Sequence, residues 1–287
     1  MLDHLNIGCG NVYHHDWVNI DIYPNNPEII SHNILNGLPF GNDQFSVVYL
    51  SHLLEHIPKG KTLYFLKECF RVLKPNGIIR IVVPDLENIV DEYKKYLLEN
   101  IDHPNPISNA NYEWILLEMY DQTVRNQNGG QMADYIAQPV IINYNYLYQR
   151  LGVNFDKIRA FYLANRNNKK NVDVGFKYFL IKTIIKFKKN RIMKIRHILR
   201  NFIMTKEERH FLELGSFRES GEIHYWMYDR YSLKKLLEES GFLSVEKKSA
   251  FESNISKWSD FELDVKKNVV YSPTSIFIEA IKSTIKS

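Results

Sequence analysis

Apolar runs of strand length alternate with turn and helix signals over the first 85 residues of the chain. Such alternation is typical of a parallel sheet whose strands are joined by crossover connections. The expected strands are residues 5–7, 17–21, 29–33, 45–50 and 78–83. We therefore predict a doubly wound, mostly parallel α/β sheet.

The stretch KTLYFLKECFRVLKPNG, residues 61–77, predicts a helix between the last two of these strands. Its apolar side chains fall on one helical face, made of Leu63, Leu66, Phe70 and Leu73. Pro75 and Gly77 are expected to end the helix, because neither residue favours a helix interior.

A second helix and two more strands are predicted near the other end of the chain. SLKKLLEESGF has Ser232 as a candidate N-cap and Gly241 as a stop, and strand-like runs follow at 243–251 and 275–281. These elements complete a seven-stranded sheet, interrupted after Val83 by roughly 130 to 145 residues, too many for an ordinary loop. We predict a sheet domain of residues 1–87 and 222–287, and a large helical insertion of residues 88–221.

A Gly-x-Gly turn, Gly8 to Gly10, follows the first strand, where doubly wound sheets bind ligands. A dinucleotide fingerprint requires a third glycine three residues later, but that residue is Tyr13. The fingerprint also requires an acidic residue about twenty residues after the glycines, whereas Asp21 follows them at a much shorter distance. The spacing disfavours NAD.

Several segments resemble the class I S-adenosyl-L-methionine-dependent methyltransferases, a Rossmann-like family, in order and spacing from Leu5 to Asp85. The segments are LNIGCG, WVNIDIYP, HNILNGLPFGNDQFSVVYLSHLLEHI and LKECFRVLKPNGIIRIVVPD, with HYWMYDRYSLKKLLEESGF and SIFIEAIK near the end. The chain is most similar to the bacterial group that accompanies polysaccharide biosynthesis. The resemblance implies O-methylation of a sugar in surface polysaccharide or lipopolysaccharide, or in its nucleotide- or lipid-linked precursor. S-adenosyl-L-homocysteine would be the product, and the insertion would bind the acceptor.

The resemblance also implies which residues bind the cofactor. They are Gly8, Cys9, Gly10, Asp21, Asn33, Ile34, Leu50, Ser51 and His52. Asp21 would accept hydrogen bonds from both ribose hydroxyls, and Asn33, where the family usually has Asp, would face the adenine amino group. Both residues also fit ordinary turn chemistry.

Methyl transfer to a hydroxyl needs orientation of the acceptor and a base. The candidate bases are His56, Asp85 and His224. In some relatives an E-x-x-E-H helix binds magnesium, but here His52 replaces the first acid and removes a hard oxygen ligand. We therefore predict no metal ligand, with magnesium left open, since Glu55 and His56 also fit a packing role.

Aromatic side chains of the insertion and its return could stack on a sugar or fill the core. They are Tyr112, Trp114, Tyr144, Tyr146, Tyr148, Trp226 and Tyr228.

A basic segment gives the chain its charge asymmetry. Residues 169–200 hold eleven Lys and Arg against one acid, Asp173, whereas the whole chain has a net charge of +4. An amphipathic helix over 176–200 could contact an anionic membrane, bind a phosphate, or form a solvated face or homodimer contact. No RNA-binding module accompanies it, so we predict no nucleic-acid partner.

Cys9 and Cys69 lack disulfide or CxxC spacing, which favours reduced thiols.

The start of the sequence has no signal-peptide pattern, and no apolar run is long enough to span a membrane. We expect a cytoplasmic protein, and contact with the inner face of the membrane through the basic helix stays open. Two other functions stay open, namely methylation of an amino-sugar nitrogen or phenol, and an inactive cofactor-binding scaffold.

Overall fold

The structure, a computed structural model, describes residues 2–166 and 203–283. Its main sheet has seven strands: β1 (His4–Ile7), β2 (Val18–Asp21), β3 (Ile30–Ser31), β4 (Phe45–Ser51), β5 (Leu73–Pro84), β6 (Phe242–Lys248) and β9 (Ser275–Lys282). The spatial order is β3-β2-β1-β4-β5-β9-β6. The first five strands in this order are parallel, and β9 runs antiparallel to both of its neighbours. The predicted doubly wound, mostly parallel sheet of seven strands is confirmed.

Helices and short turns fill the connections between strands. The helices are α1 (Lys59–Val72), α2 (Leu86–Asp102), α3 (Pro106–Val124), α4 (Gly130–Ile136), α5 (Tyr144–Leu151), α6 (Phe155–Arg166), α7 (Lys206–Arg218) and α8 (Arg230–Glu239). Single 3-10 turns occur at Ile34–Asn36, Leu54–His56, Gly152–Asn154 and Trp258–Phe261, and β7 (Val265–Lys266) pairs with β8 (Val269–Val270) in a small hairpin. Among the described helices, none combines the length and apolar composition needed to cross a membrane.

The predicted buried face of α1 was right at Leu66 and Leu73, which are fully buried, and wrong at Leu63 and Phe70. Phe65, Leu66 and Cys69 are the buried side chains of its centre, whereas Leu63 and Phe70 are half-buried. The helix ends at Val72, because Leu73 already pairs with Phe45 as the first residue of β5. The predicted stops at Pro75 and Gly77 lie inside β5, where Asn76 adopts a φ of 63°.

The predicted N-cap of α8 was also wrong. Asp229 is the N-cap, and its carboxylate accepts a hydrogen bond from the Ser232 amide at 2.7 Å. The Ser232 hydroxyl accepts in turn from the Asp229 amide, which completes a capping box. Gly241 follows the helix with a φ of 101°, as its predicted role as a stop requires.

Apolar side chains cover both faces of the sheet. One face packs against α1 and α8 through residues such as Leu50, Leu66 and Leu233. The other packs against the connection between β6 and β9, where Tyr49 and Trp258 belong to one aromatic cluster. In sheets covered on both faces, ligands usually bind beyond the carboxyl ends of the strands.

A buried charged network ties that second face together. The Arg80 guanidinium, which is fully buried, donates to Asp264 and to Glu279, each at 2.7 Å. The Tyr49 hydroxyl donates to Asp264 at 2.6 Å. Burial, and next the Asp264 charge, raise the pKa of Tyr49 well above its usual range. The phenol therefore stays protonated and keeps donating to the carboxylate.

The chain divides into two compact units. The first contains Met1–Ile115, Ile142–Phe155 and His224–Ser287, and the second contains Leu116–Ile141 and Asp156–Ile223. Part of the predicted insertion thus packs with the sheet. In the second unit, the Asp121 carboxylate accepts from the Gln131 amide at 2.7 Å and caps the first turn of α4. The predicted basic helix over 176–200 lies outside the described residues.

Candidate active site

The glycine turn lies at the carboxyl end of β1. In the sheet, β2 is the neighbour of β1 on one side and β4 is its neighbour on the other. Gly8 and Gly10 have φ values of 68° and 53°, which glycine adopts without strain. The amides of Gly8 and Cys9 both donate to the Ile20 carbonyl, at 2.8 and 3.2 Å. The turn is therefore fastened to β2, and residues 8–17 need no helix to complete the crossover.

The two glycines have different surroundings. A Cβ on Gly8 would lie 2.8 Å from Leu53 Cδ1, whereas a Cβ on Gly10 would meet nothing within 4 Å. Gly8 is required for close packing on Leu53, and Gly10 borders open space that a ligand can fill. Cys9 between them is buried, and burial, with the Asp21 charge, raises the pKa of its thiol to about 12. The thiol is therefore not a nucleophile.

Asp21 ends β2 beside this turn. Its Oδ2 accepts from the Gly10 amide at 3.0 Å, and its Oδ1 accepts from the Tyr23 amide at 2.8 Å. Two backbone amides thus fix the orientation of the carboxylate. Each oxygen keeps a further lone pair with which a ligand hydroxyl could bond.

The remaining predicted cofactor residues lie at the ends of β3 and β4. Asn33 caps the turn Ile34–Asn36, because its side chain accepts from the Leu35 amide at 3.0 Å. Leu50 is fully buried in the core, whereas Ser51 and His52 are half-buried. The predicted cofactor-binding residues therefore lie along one edge of the sheet, at the carboxyl ends of its strands. Their contacts with a cofactor stay predictions.

His52 leaves β4 in an unusual backbone conformation. Its φ is 49°, in the left-handed region that non-glycine residues seldom adopt. Its ring Nδ1 lies 3.2 Å from Glu55 Oε1, and its Nε2 lies 3.1 Å from the Ser275 hydroxyl. The imidazole is therefore fixed between β9 and the turn that follows β4.

Glu55, His56 and His224 form a polar cluster just beyond this point, which we call the Glu-His-His cluster. The rings of His56 and His224 are perpendicular, with centroids 4.6 Å apart. The Tyr225 amide donates to the Glu55 carbonyl at 2.7 Å, which holds the returning chain against the turn. Sequence reasoning named both histidines as candidate bases, and the structure brings them together.

The Glu55 side chain is fully buried. Among the described residues, neither of its carboxylate oxygens has a hydrogen-bond donor in bonding geometry. Burial by itself would raise the pKa of this carboxyl, but His52, and further His224 and His56, hold the pKa below its usual range. Glu55 is therefore a buried anion that faces histidines.

Asp85, the third predicted base, lies in a different setting. It is the N-cap of α2, accepting from the Glu87 amide at 3.0 Å and the Asn88 amide at 3.5 Å. Its other oxygen lies 3.6 Å from Lys247 Nζ, and the residue is 7 % exposed. Capping of α2 and the contact with Lys247 are a sufficient structural role for the Asp85 carboxylate. Its role as a base stays a prediction.

Several of the predicted sugar-stacking residues are core residues. Trp114, Tyr146 and Tyr228 are buried. Tyr144, Tyr148 and Trp226 are exposed, and Lys59 Nζ lies 3.2 Å from the centre of the Trp226 ring. A cavity of about 260 Å³ near Trp258 contains none of the predicted site residues in its lining.

Sequence reasoning missed two features of this edge. Leu53 packs on Gly8, and Glu55 is a buried carboxylate with unused lone pairs. The motif HLLEH was the available signal, but its partner His224 lies far away along the chain. Only the return of the chain beside β5, where Asp85 bridges Tyr228, brings that partner close.

Residues 5–81 match the family model described as "Methyltransferase domain". This part of the chain is therefore similar to methyltransferase domains. It contains the glycine turn, Asp21, the turn after β4 and most of β5, and it agrees with the predicted class I fold and with S-adenosyl-L-methionine as its cofactor. No curated protein matches the chain significantly.

Solved structures of methyltransferases are similar to the chain at low identity. A putative sarcosine dimethylglycine methyltransferase from Galdieria sulphuraria is 18% identical over 33% of this chain and 46% of its own, with a TM-score of 0.25. Phosphoethanolamine N-methyltransferase 2 of Haemonchus contortus, in complex with S-adenosyl-L-methionine, is 9% identical over 98% of this chain and 49% of its own, with a TM-score of 0.36. This chain thus spans less than half the length of either protein.

Proposed function

We propose that this chain is an S-adenosyl-L-methionine-dependent methyltransferase that O-methylates a sugar of surface polysaccharide or lipopolysaccharide, or its nucleotide- or lipid-linked precursor. The observation that carries the activity is the pairing of the Gly8–Gly10 turn with Asp21 inside the methyltransferase domain. The sugar acceptor is supported by the resemblance of the motifs to the polysaccharide-associated group.

The chain's own residues fit the cofactor. Gly10 leaves space beside the carboxylate of Asp21, whose orientation two amides fix. Asp21 would hold the ribose, and the glycine turn would lie under the methionine part. When bound, the cofactor supplies a methyl group on a sulfonium and leaves as S-adenosyl-L-homocysteine.

The acceptor side needs a place for a sugar and for its hydroxyl proton. The exposed ring of Tyr148 would stack on a sugar face, and the Trp226 ring, which Lys59 contacts, is exposed as well. The Glu-His-His cluster lies next to the end of β4 and contains the chain's best candidates for handling the proton, because Asp85 is committed to capping α2.

Calorimetric titration with S-adenosyl-L-methionine and S-adenosyl-L-homocysteine tests the cofactor part. We expect micromolar binding by the wild type and at least about a tenfold loss in Asp21→Ala, because a charge-assisted hydrogen bond contributes about 1.5–3 kcal/mol. The matched control is Asp16→Ala, an exposed aspartate near His14 and His15. A folded wild type that binds neither compound would contradict the proposal, as would equal binding by both variants.

Transfer of a labelled methyl group tests the acceptor class. Nucleotide sugars, lipid-linked glycans, amino sugars and phenols would be incubated with enzyme and labelled cofactor, and the methylated atom identified by mass spectrometry. Label on a sugar oxygen is the expected result. Label on nitrogen or on a phenol would replace the acceptor, and cofactor binding without transfer to any class would favour an inactive scaffold.

A further inference from the structure

We propose that Glu55, His56 and His224 form a binding site for a divalent transition-metal ion. Each residue offers one ligand atom, and the three ligand atoms all lie within 4.8 Å of one another. One carboxylate and two imidazoles form a donor set typical of zinc, manganese or iron sites. Residues from two distant parts of the chain supply this set.

The buried carboxylate is the second observation in favour of a ligand. A fully buried anion is costly unless it is paired, and its oxygens usually accept hydrogen bonds. Within the described part of the chain, both Glu55 oxygens lack a donor in hydrogen-bonding geometry, and the His52 ring forms an ion-pair contact of 3.2 Å with Oε1 alone. A cation between Glu55 and the two histidines would satisfy these lone pairs.

The positions of the ligand atoms allow an ion after a small contraction. Metal to nitrogen or oxygen distances are about 2.0–2.2 Å, so ligand atoms on one ion lie at most about 4.4 Å apart. The three ligand atoms all lie within 4.8 Å of one another, and His56 is half-buried. Binding of an ion would draw these atoms slightly closer together.

The neighbouring contacts stabilise the arrangement. The hydrogen bond from the Tyr225 amide to the Glu55 carbonyl fixes the His224 segment against the turn Leu54–His56. His52 approaches the same carboxylate and is itself held by Ser275. Such outer contacts are what orient ligands in protein metal sites.

The donor set also argues against magnesium. Magnesium binds oxygen ligands almost exclusively, and two of the three donors here are imidazole nitrogens. Three protein ligands leave at least one coordination position open, as in catalytic rather than structural sites. If the proposed methyl transfer is correct, an acceptor hydroxyl could take that position and lose its proton more easily, and the two histidines would then act as ligands rather than as free bases.

The test measures metal binding alone. Protein freed of metal with a chelator would be dialysed against Zn²⁺ or Mg²⁺ and analysed by mass spectrometry for bound ion, and Co²⁺ would be followed by its visible absorption bands. We expect about one Zn²⁺ per chain, no retained Mg²⁺, and cobalt bands of imidazole coordination.

Variants locate the site. His56→Ala and His224→Asn should each lower the Zn²⁺ affinity by more than about tenfold and abolish the rise in thermal stability that Zn²⁺ gives the wild type. His15→Ala is the matched control, because His14, His15 and Asp16 form the other described group with metal-ligand spacing, on an exposed loop. Circular dichroism checks that each variant is folded, and His56→Ala, at a half-buried position, keeps the test valid if the buried His224 variant unfolds.

The outcomes separate this proposal from the proposed function. Absence of stoichiometric Zn²⁺ in the wild type, or loss of Zn²⁺ in His15→Ala but not in His56→Ala, would overturn the site. Zn²⁺ binding lost in His56→Ala supports it whether or not the protein binds S-adenosyl-L-methionine, because that compound is absent from the measurement.

Discussion

Arg80 is the residue that holds together a buried polar network under the sheet. Its fully buried guanidinium pairs with Asp264 and Glu279 and lies 4.7 Å from the centre of the Trp258 ring. Burial raises the pKa of Asp264, and Arg80 opposes that effect. Sequence reasoning did not foresee this network, because a charged residue in a strand gives no sign of which partners a long connection will bring to it.

Replacing Arg80 tests that dependence. Arg80→Ala would leave two carboxylates buried without their cation, so we expect a loss of about 3–5 kcal/mol in the free energy of unfolding by urea. Lys74→Ala is the control, because its pair with Asp3 is exposed and should contribute less than about 1 kcal/mol. Arg80→Lys keeps the charge and should lose less than the alanine variant. Equal losses in Arg80→Ala and Lys74→Ala would show that the network does not stabilise the fold.

At the scale of elements, α1 is fastened to the chain that leads into β4. The Glu68 carboxylate accepts from the Leu38 amide at 2.9 Å and from Arg71 at 2.7 Å, and Arg71 also donates to the carbonyls of Leu38 and Phe40. The two side chains thus connect one helix to a segment without regular structure. Helix α1 in turn packs on the strands that end at the cofactor edge.

This connection predicts a pH dependence. The Arg71 hydrogen bond, and also the Leu38 amide, lower the pKa of Glu68, and burial opposes them only partly. The unfolded chain therefore binds this proton first as the pH falls. The stabilisation is complete above the ordinary glutamate pKa of about 4.3 and is lost as the pH falls through the lowered value.

Urea unfolding between pH 3 and 7 checks the predicted pH dependence of the free energy of unfolding. Glu68→Gln should be less stable than the wild type by about 1.5–3 kcal/mol at neutral pH, and the difference should shrink on acidification. The exposed Glu239→Gln serves as the control. A difference between wild type and Glu68→Gln that is the same at every pH would contradict the assigned ion pair.

At the scale of the whole molecule, the charge is unevenly distributed along the chain. The basic residues of 169–200 contrast with a net charge of only +4 overall. We expect the protein to sediment with vesicles that contain anionic lipid but not with neutral vesicles. The bound fraction should fall as the salt concentration is raised. Charge reversal at Lys188 and Lys189 should reduce it, and reversal at the exposed Lys234 and Lys235 should not. Equal binding to neutral vesicles, or equal effects of both pairs, would contradict membrane contact by this segment.

Local features of the fold could be predicted from the sequence, whereas features that depend on contacts between distant segments could not. The buried strands β1 and β4 and the glycine turn after β1 were predicted, because apolar runs and turn residues are local signals. The end of α1 at Val72 was not, because the start of β5 at Leu73 is decided by pairing with Phe45 across the sheet. The Glu-His-His cluster required knowing that the distant His224 returns beside β5, and periodicity contains no information on that.

The contact between Leu53 and Gly8 joins the cofactor turn to the cluster. Leu53 directly precedes the turn that carries Glu55 and His56, and its Cδ1 would lie 2.8 Å from a Cβ on Gly8. This contact is the shortest described path by which a shift of the glycine turn would reach the cluster. If the two sites are coupled through it, each ligand would change the affinity of the other by the same factor. The cofactor and the proposed ion would form one thermodynamically linked pair, bound with a common coupling free energy.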